Sequence, residues 1–322
     1  MSIPNKSIVA PGSKLEKSLF GSRAVKFVFF GNYFYGLCAI ALAVEATLQQ
    51  NFTLNHPYFY ILLFIATVLY YTRAYISDST TDITSNARAR WYAENKKMVI
   101  ATQVVLAILL GVFGLLYLQL IGDNLLKSTL QEWLLYLFFP IVAFAYYALE
   151  NKKLKKYSLR NIGWLKPFII GLIWAGLATV YPILAKGLED GHHFIITERL
   201  CLLTLKNTMY VGLLCIMFDF KDYRIDYQQK LNTFIVKLGL RKTVFNILFP
   251  LTLLGLSTFI VYALSQDFSF GKILLNTIPF VLLVTVALSL LRRKSIFYYL
   301  IVVDGLMLIK ALCGALAIIY SN

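Results

Sequence analysis

The stretch Met98-Val-Ile-Ala-Thr-Gln-Val-Val-Leu-Ala-Ile-Leu-Leu-Gly-Val-Phe-Gly-Leu-Leu-Tyr-Leu-Gln-Leu120 carries no charge and is apolar on every face. At 1.5 Å per residue it is long enough to cross a ~30 Å hydrocarbon layer as a helix, which satisfies its own backbone hydrogen bonds. A spanning β-strand would instead show about ten residues of alternating polarity. Working outward from this block, similar ones are expected near 27–47, 58–76, 133–149, 164–184, 198–218, 243–264, 273–291 and 296–319. The expected fold class is therefore all-α, a polytopic membrane protein of about nine transmembrane helices. Residues 1–26 form a cytoplasmic N-terminal segment and 27–322 a single transmembrane helical domain.

Composition agrees. Of 322 residues, 59% are hydrophobic and 15% charged, against roughly 45–50% and 25% in soluble domains. A net charge of +15 would point to nucleic acid in a soluble protein, but here the charges are sorted between loops. Lys6, Lys14, Lys17, Arg23 and Lys26 precede the first span, and Lys152, Lys153, Lys155, Lys156, Arg160 and Lys166 crowd the fourth loop. The alternate loops hold little beyond Lys127, Lys186, Arg199 and Lys272. The positive-inside rule then predicts a bacterial inner membrane protein with a cytoplasmic N-terminus and Asn322 outside, and no nucleic-acid partner. The basic start and Ala41–Ala43 also fit a cleaved secretory signal. The long polar lead and Asn32, which suits an interior-facing position, favour a retained helix. Cys38, Cys201, Cys215 and Cys313 lack CxxC spacing, so neither a disulfide framework nor a zinc site is indicated.

The 16 acidic residues are the informative ones, because five of them sit in two short clusters within otherwise basic loops. The first is Asp78-Ser-Thr-Thr-Asp82, followed by Asn86, Arg88 and Arg90. The second is Asp219-Phe-Lys-Asp222-Tyr-Arg-Ile-Asp226, followed by Lys230. Spacing of three or four places each set on one face of a helix leaving the membrane. Like charges that close repel by about 2–3 kcal/mol at an effective dielectric near 20, so a cation or nearby bases must offset them. Oxygen donors without His or Cys point to Mg²⁺ as the cofactor, with Asp78, Asp82, Asp219, Asp222 and Asp226 as ligands. Carboxylates for a metal and bases for phosphate oxygens together make a diphosphate-binding constellation. The alternative for a lone DxxxD is a solvated helix face; two of them at equivalent helix ends favour the site.

These motifs resemble the UbiA superfamily of intramembrane prenyltransferases. Asp219, Asp222 and Asp226, then Lys230-Leu-Asn-Thr233 and Val236-Lys-Leu-Gly239, are similar to the family's second acidic motif and its tail. Leu165-Lys166-Pro167 leading to Trp174 resembles the fifth helix. The first motif departs: Ala74 and Tyr75 stand where the family has Asn and Asp, although Asn86, Arg88 and Arg90 still resemble the continuation. The resemblance implies a Mg²⁺-dependent transfer of an isoprenyl group from an isoprenyl diphosphate to a lipid-soluble or aromatic acceptor, in a cavity open to membrane lipids. Asp78, Asp82, Asp222 and Asp226 would be catalytic, and Arg88, Arg90, Lys221, Arg224 and Lys230 would bind the diphosphate. Tyr146, Tyr147 and Tyr210 either shield the developing cation or simply pack. A non-catalytic isoprenoid-binding relative is the alternative. A transporter is disfavoured, because the clustered polar residues lie at one membrane face and not at the midplane.

Three charged residues inside the spans are expensive in hydrocarbon. Lys206, Asp304 and Lys310 should face the bundle interior, most simply as interhelical pairs, with a cavity role next. Asp304 and Lys310, six apart, point to different faces. Glu45 and Arg73, near span ends, are expected to snorkel. His56, His192 and His193 fall in outer loops, and no role is assigned to them.

Overall fold

The computed structural model describes residues 22–77, 87–148, 163–228 and 230–320. Asp78, Asp82 and Asn86 lie outside the described residues. Among those described there is no strand, and the protein is an all-helical, multi-pass membrane bundle. Its helices in chain order are α1 (Arg23–Phe30), α2 (Tyr33–Gln49), α3 (Pro57–Ser77), α4 (Ala87–Glu94), α5 (Lys96–Leu126) and α6 (Leu130–Ala148). They continue as α7 (Lys166–Ala175), α8 (Tyr181–Asp190), α9 (Glu198–Gln228), α10 (Phe234–Leu238), α11 (Leu240–Thr243), α12 (Phe249–Ser265), α13 (Phe270–Ser289) and α14 (Gly305–Ile319). Single π-turns at Gly176–Val180, Val244–Leu248 and Tyr298–Val303 fuse α7 with α8, join α11 to α12 and lead into α14.

By length and composition, six helices among the described residues can cross a membrane, or seven if the bent pair α1–α2 counts as one. The helices α3 and α6 occupy the remaining expected positions. Burial separates the spans into two classes. The apolar window of α5 is 11% buried, so its Val104, Ile108 and Leu115 meet lipid, whereas that of α7–α8 is 67% buried. Exposed apolar surface on that scale would drive association in water; here the solvent is hydrocarbon.

The inner helices approach closely where glycine permits it. A Cβ on Gly171 of α7 would lie 2.4 Å from the Thr208 carbonyl oxygen of α9. A Cβ on Gly36 of α2 would lie 2.5 Å from the Phe64 ring of α3. Around these crossings Leu214, Met217 and Phe220 of α9 pack with Leu42, Trp174, Leu283, Tyr299 and Leu306 into one buried core. Because α9 has 31 residues, it is about 46 Å long, well beyond the ~30 Å hydrocarbon thickness. Its last ten residues are mostly polar and carry the second acidic motif beyond the apolar part.

The first span is broken. Between α1 and α2 the axis turns by 58°, and Asn32 sits there with φ of 66°, in the left-handed region that Asn tolerates better than most residues. The helix-to-helix turn frees the Phe30 and Gly31 carbonyls, which must find donors inside the bundle.

Candidate functional site

At the projecting end of α9, positions 219, 222 and 226 share one face, as their spacing requires. Asp219 is 1% exposed and its Oδ1 accepts from Lys166 Nζ at 2.7 Å. Lys166 opens α7, and the glycine-dependent α7–α9 crossing brings it to Asp219. Gly163 adds a second restraint, since a Cβ there would meet the Asn232 and Thr233 backbone at 2.8 Å. Asp222 is half-buried and bonds to Lys221 Nζ. Asp226 is buried, and its Oδ2 has no hydrogen-bond partner. Its carbonyl accepts from Leu231 N–H at 2.9 Å, which closes the end of α9. Lys230 is exposed at φ 54° in the turn that follows, and Thr233 caps α10 by accepting from Val236 N–H. Arg224 is half-buried on the same helix.

These five groups, three carboxylates and the ammoniums of Lys166 and Lys221, sum to −1. An oxygen-only donor set and a buried carboxylate oxygen left unpartnered suit a hard cation. Among the described residues, no group of three or more Asp, Glu, His or Cys side chains is arranged to hold a metal ion by itself. An ion bound here would draw its remaining ligands from water, from phosphate oxygens or from residues outside those described.

The first-motif side is built differently. Arg88, 4% exposed, donates from Nη1 to Tyr75 Oη at 2.8 Å and from Nη2 to the Phe30 carbonyl at 2.9 Å, and also to Asn32 Oδ1. Asn32 Nδ2 donates to Thr72 Oγ1 at 3.0 Å, while Tyr92 Oη donates to the Phe30 carbonyl at 2.8 Å. Tyr75 stacks on Tyr92, ring centroids 5.2 Å apart. Arg88 thus supplies donors to the carbonyl exposed by the α1–α2 break. Arg90 is exposed on α4.

Between the two sides lies Asp304, buried at the start of α14. Tyr35 hydrogen-bonds to it, and Arg88 and Lys221 are the cationic groups near enough to act on its carboxylate. Tyr35 stacks on Tyr71 with centroids 4.6 Å apart, and Tyr71 Oη accepts from Trp174 Nε1 at 2.5 Å. This aromatic group was not singled out in the sequence. Tyr210 is buried and donates to the Leu306 carbonyl, Tyr146 is buried, and the side chain of Tyr147 lies outside the described residues.

Two sequence readings are corrected. Glu45 does not snorkel: it is 1% exposed and bonds Lys310 Nζ at 2.6 Å, because Lys310 of α14 faces α2 at that level. Lys166, read as a topology charge, is instead the partner of Asp219; Leu165-Lys166-Pro167 was its only sequence signal.

No protein-family model matches the sequence, and no curated protein matches it. A solved structure described as giving structural and mechanistic insights into digeranylgeranylglyceryl phosphate synthase in membranes aligns with 91% of this chain and 98% of its own, with a TM-score of 0.55 and 14% identity. At that identity the likeness is one of fold: this multi-pass helical bundle is arranged as in the structure of that synthase.

Proposed function

We propose that the protein is a membrane prenyltransferase that moves an isoprenyl group from an isoprenyl diphosphate to a lipid-soluble or aromatic acceptor, with Mg²⁺ as cofactor and its acidic face toward the cytoplasm. The observation that carries this reading is the Asp219–Asp222–Asp226 face at the end of α9, bracketed by Lys166 and Lys221 and keeping an unpartnered buried oxygen on Asp226. The likeness in fold to a digeranylgeranylglyceryl phosphate synthase and the UbiA resemblance of the motifs support a prenyl-transfer role.

In the proposed reaction the allylic C–O bond breaks and the diphosphate departs with the electron pair. The acceptor nucleophile then bonds to the prenyl carbon and gives up its proton. Asp222 and Asp226, with Asp219, Asp78 and Asp82, would hold Mg²⁺, which when bound neutralises charge on the leaving diphosphate. Lys221 and the exposed Lys230, with Arg224 and Arg90, supply cationic donors for phosphate oxygens. Asp219 orients Lys166 toward the same space. The faces of Tyr35, Tyr71 and Trp174 offer π-surface to a carbocation-like prenyl group.

A second reading, a non-catalytic isoprenoid-binding protein, is favoured by the first-motif side, where Tyr75 stacks on Tyr92 and engages Arg88. Diphosphate release by purified protein, incubated with isoprenyl diphosphates of several lengths, Mg²⁺ and membrane-lipid extract, separates the two. Metal-dependent release that EDTA abolishes is the expected result. Donor binding without release in every case would establish the second reading.

A further inference from the structure

Lys206 lies thirteen residues before Asp219 on α9, about 20 Å away along the helix axis. There, α2, α9 and α14 bring one carboxylate and two ammonium groups together inside the bundle. Lys310 Nζ donates to Glu45 Oε1 at 2.9 Å and to Oε2 at 2.6 Å. Gln49 Nε2 donates to Glu45 Oε1 at 3.0 Å, and Gln49 Oε1 accepts from Lys206 Nζ at 3.1 Å. Gly314 makes the approach possible, since a Cβ there would lie 2.4 Å from Glu45 Oε1.

The charges do not balance. Both oxygens of Glu45 are engaged by Lys310, and one also by Gln49, while Lys206 touches only the neutral Gln49 oxygen. Glu45 and Lys310 are the charged groups close enough to act on Lys206, so the cluster carries a net +1. Inside a hydrocarbon-bounded bundle such a charge calls for a counter-charge. The cluster opens on a cavity of about 10 Å³ walled also by Tyr210, Asn276 and Phe280. That volume, open to the centre of a small particle, leaves room for one such particle, too little for a phosphate or a lipid headgroup. Tyr210 Oη already donates to the Leu306 carbonyl, and one of the two Asn276 Nδ2 hydrogens to the Lys272 carbonyl. The lysines are therefore the cationic donors the cavity offers.

We infer that this cavity is a binding site for a single small monovalent anion of the halide class, held by Lys206 and Lys310 and stabilising the α2–α9–α14 junction. The site is independent of the prenyl-transfer reading, and its test uses no donor substrate. Thermal unfolding of the purified full chain in detergent is compared in sodium chloride, sodium bromide and sodium gluconate at equal ionic strength, gluconate being too large for the cavity. Chloride and bromide are expected to raise the midpoint by roughly 3 °C over gluconate, as a ligand that binds only the folded state does. Lys206→Met should lose that difference and Lys206→Arg should keep it. Equal midpoints of the parent in the three salts, or an undiminished chloride effect in Lys206→Met, would overturn the assignment. Should Lys206→Met not fold, bromide anomalous scattering from parent crystals decides: a peak beside Lys206 supports the site and its absence refutes it.

Discussion

The two sides of the candidate site are made of opposite materials. At the projecting end of α9, carboxylates alternate with the basic Lys221 and Arg224, and a buried oxygen of Asp226 is left unpartnered. On the α3–α4 side, an arginine, an asparagine and two stacked tyrosines close over a broken helix. The first arrangement leaves binding capacity unspent and is suited to a ligand. The second holds backbone in place and is suited to architecture. A motif in sequence therefore has two possible uses, and only its partners tell them apart: Arg88 and Asp226 both count as site residues by their motifs, yet the Arg88 guanidinium is spent on a carbonyl while Asp226 Oδ2 has no partner.

Replacing the ligand-side carboxylates should give the largest effect on activity. Asp226→Asn, nearly isosteric, and Asp222→Ala are each expected to lower metal-dependent diphosphate release at least ~100-fold, the scale on which removal of transition-state charge stabilisation is felt. Asp78→Ala, in the first motif, should be as damaging, because with Ala74 and Tyr75 supplying no carboxylate only Asp82 would remain as an acid there. Retained activity in all three variants would erase the contrast between the two sides.

Next in size is the Lys166–Asp219 bracket. Lys166→Met strands a buried carboxylate, and a cost of about 3–5 kcal/mol is typical of a broken buried pair. A thermal-unfolding series with Lys166→Met, Asp219→Asn and the double variant checks this. The double variant should recover much of the loss, whereas additive losses would mean that the two groups are not coupled.

Arg88→Ala should act on stability alone, costing about 2 kcal/mol by leaving Asn32 Oδ1 without a donor and the Phe30 carbonyl with Tyr92 alone. Activity per folded molecule should hold within about threefold, a difference of ~0.7 kcal/mol in barrier. A collapse of activity in protein that unfolds at the parent temperature would move Arg88 to the ligand side. The smallest effect is expected of Tyr75→Phe, which removes one hydroxyl and keeps the stack on Tyr92. A change of about 1 kcal/mol or less in unfolding free energy is the anticipated outcome.

The helical blocks were legible in the sequence because hydrocarbon imposes length and uniform apolarity on whatever crosses it. The break at Asn32 was half legible: a polar residue in an apolar span signalled an interior position, but nothing local signalled a 58° bend. Partners were the hidden part. Lys166 and Asp219 are 53 residues apart, and Glu45 and Lys310 are 265 apart. Periodicity specifies which face a residue occupies and is silent about what another helix brings to that face. Asp304 shows the same limit, since its neighbours Tyr35, Arg88 and Lys221 come from three other helices.

The length of α9 has a consequence for the lipid around it. Its apolar part, residues 198–218, matches a ~30 Å hydrocarbon layer, and the turns that follow extend some 15 Å further along one unbroken helix, placing Asp222 about 6 Å and Asp226 about 12 Å past residue 218. Natural bilayers differ in hydrocarbon thickness by only a few Å, less than one 5.4 Å helical turn. A thicker membrane therefore shifts the interface along α9 without engulfing Asp222 or Asp226, and the acids keep their height above the lipid much as a mooring post keeps its top above the tide.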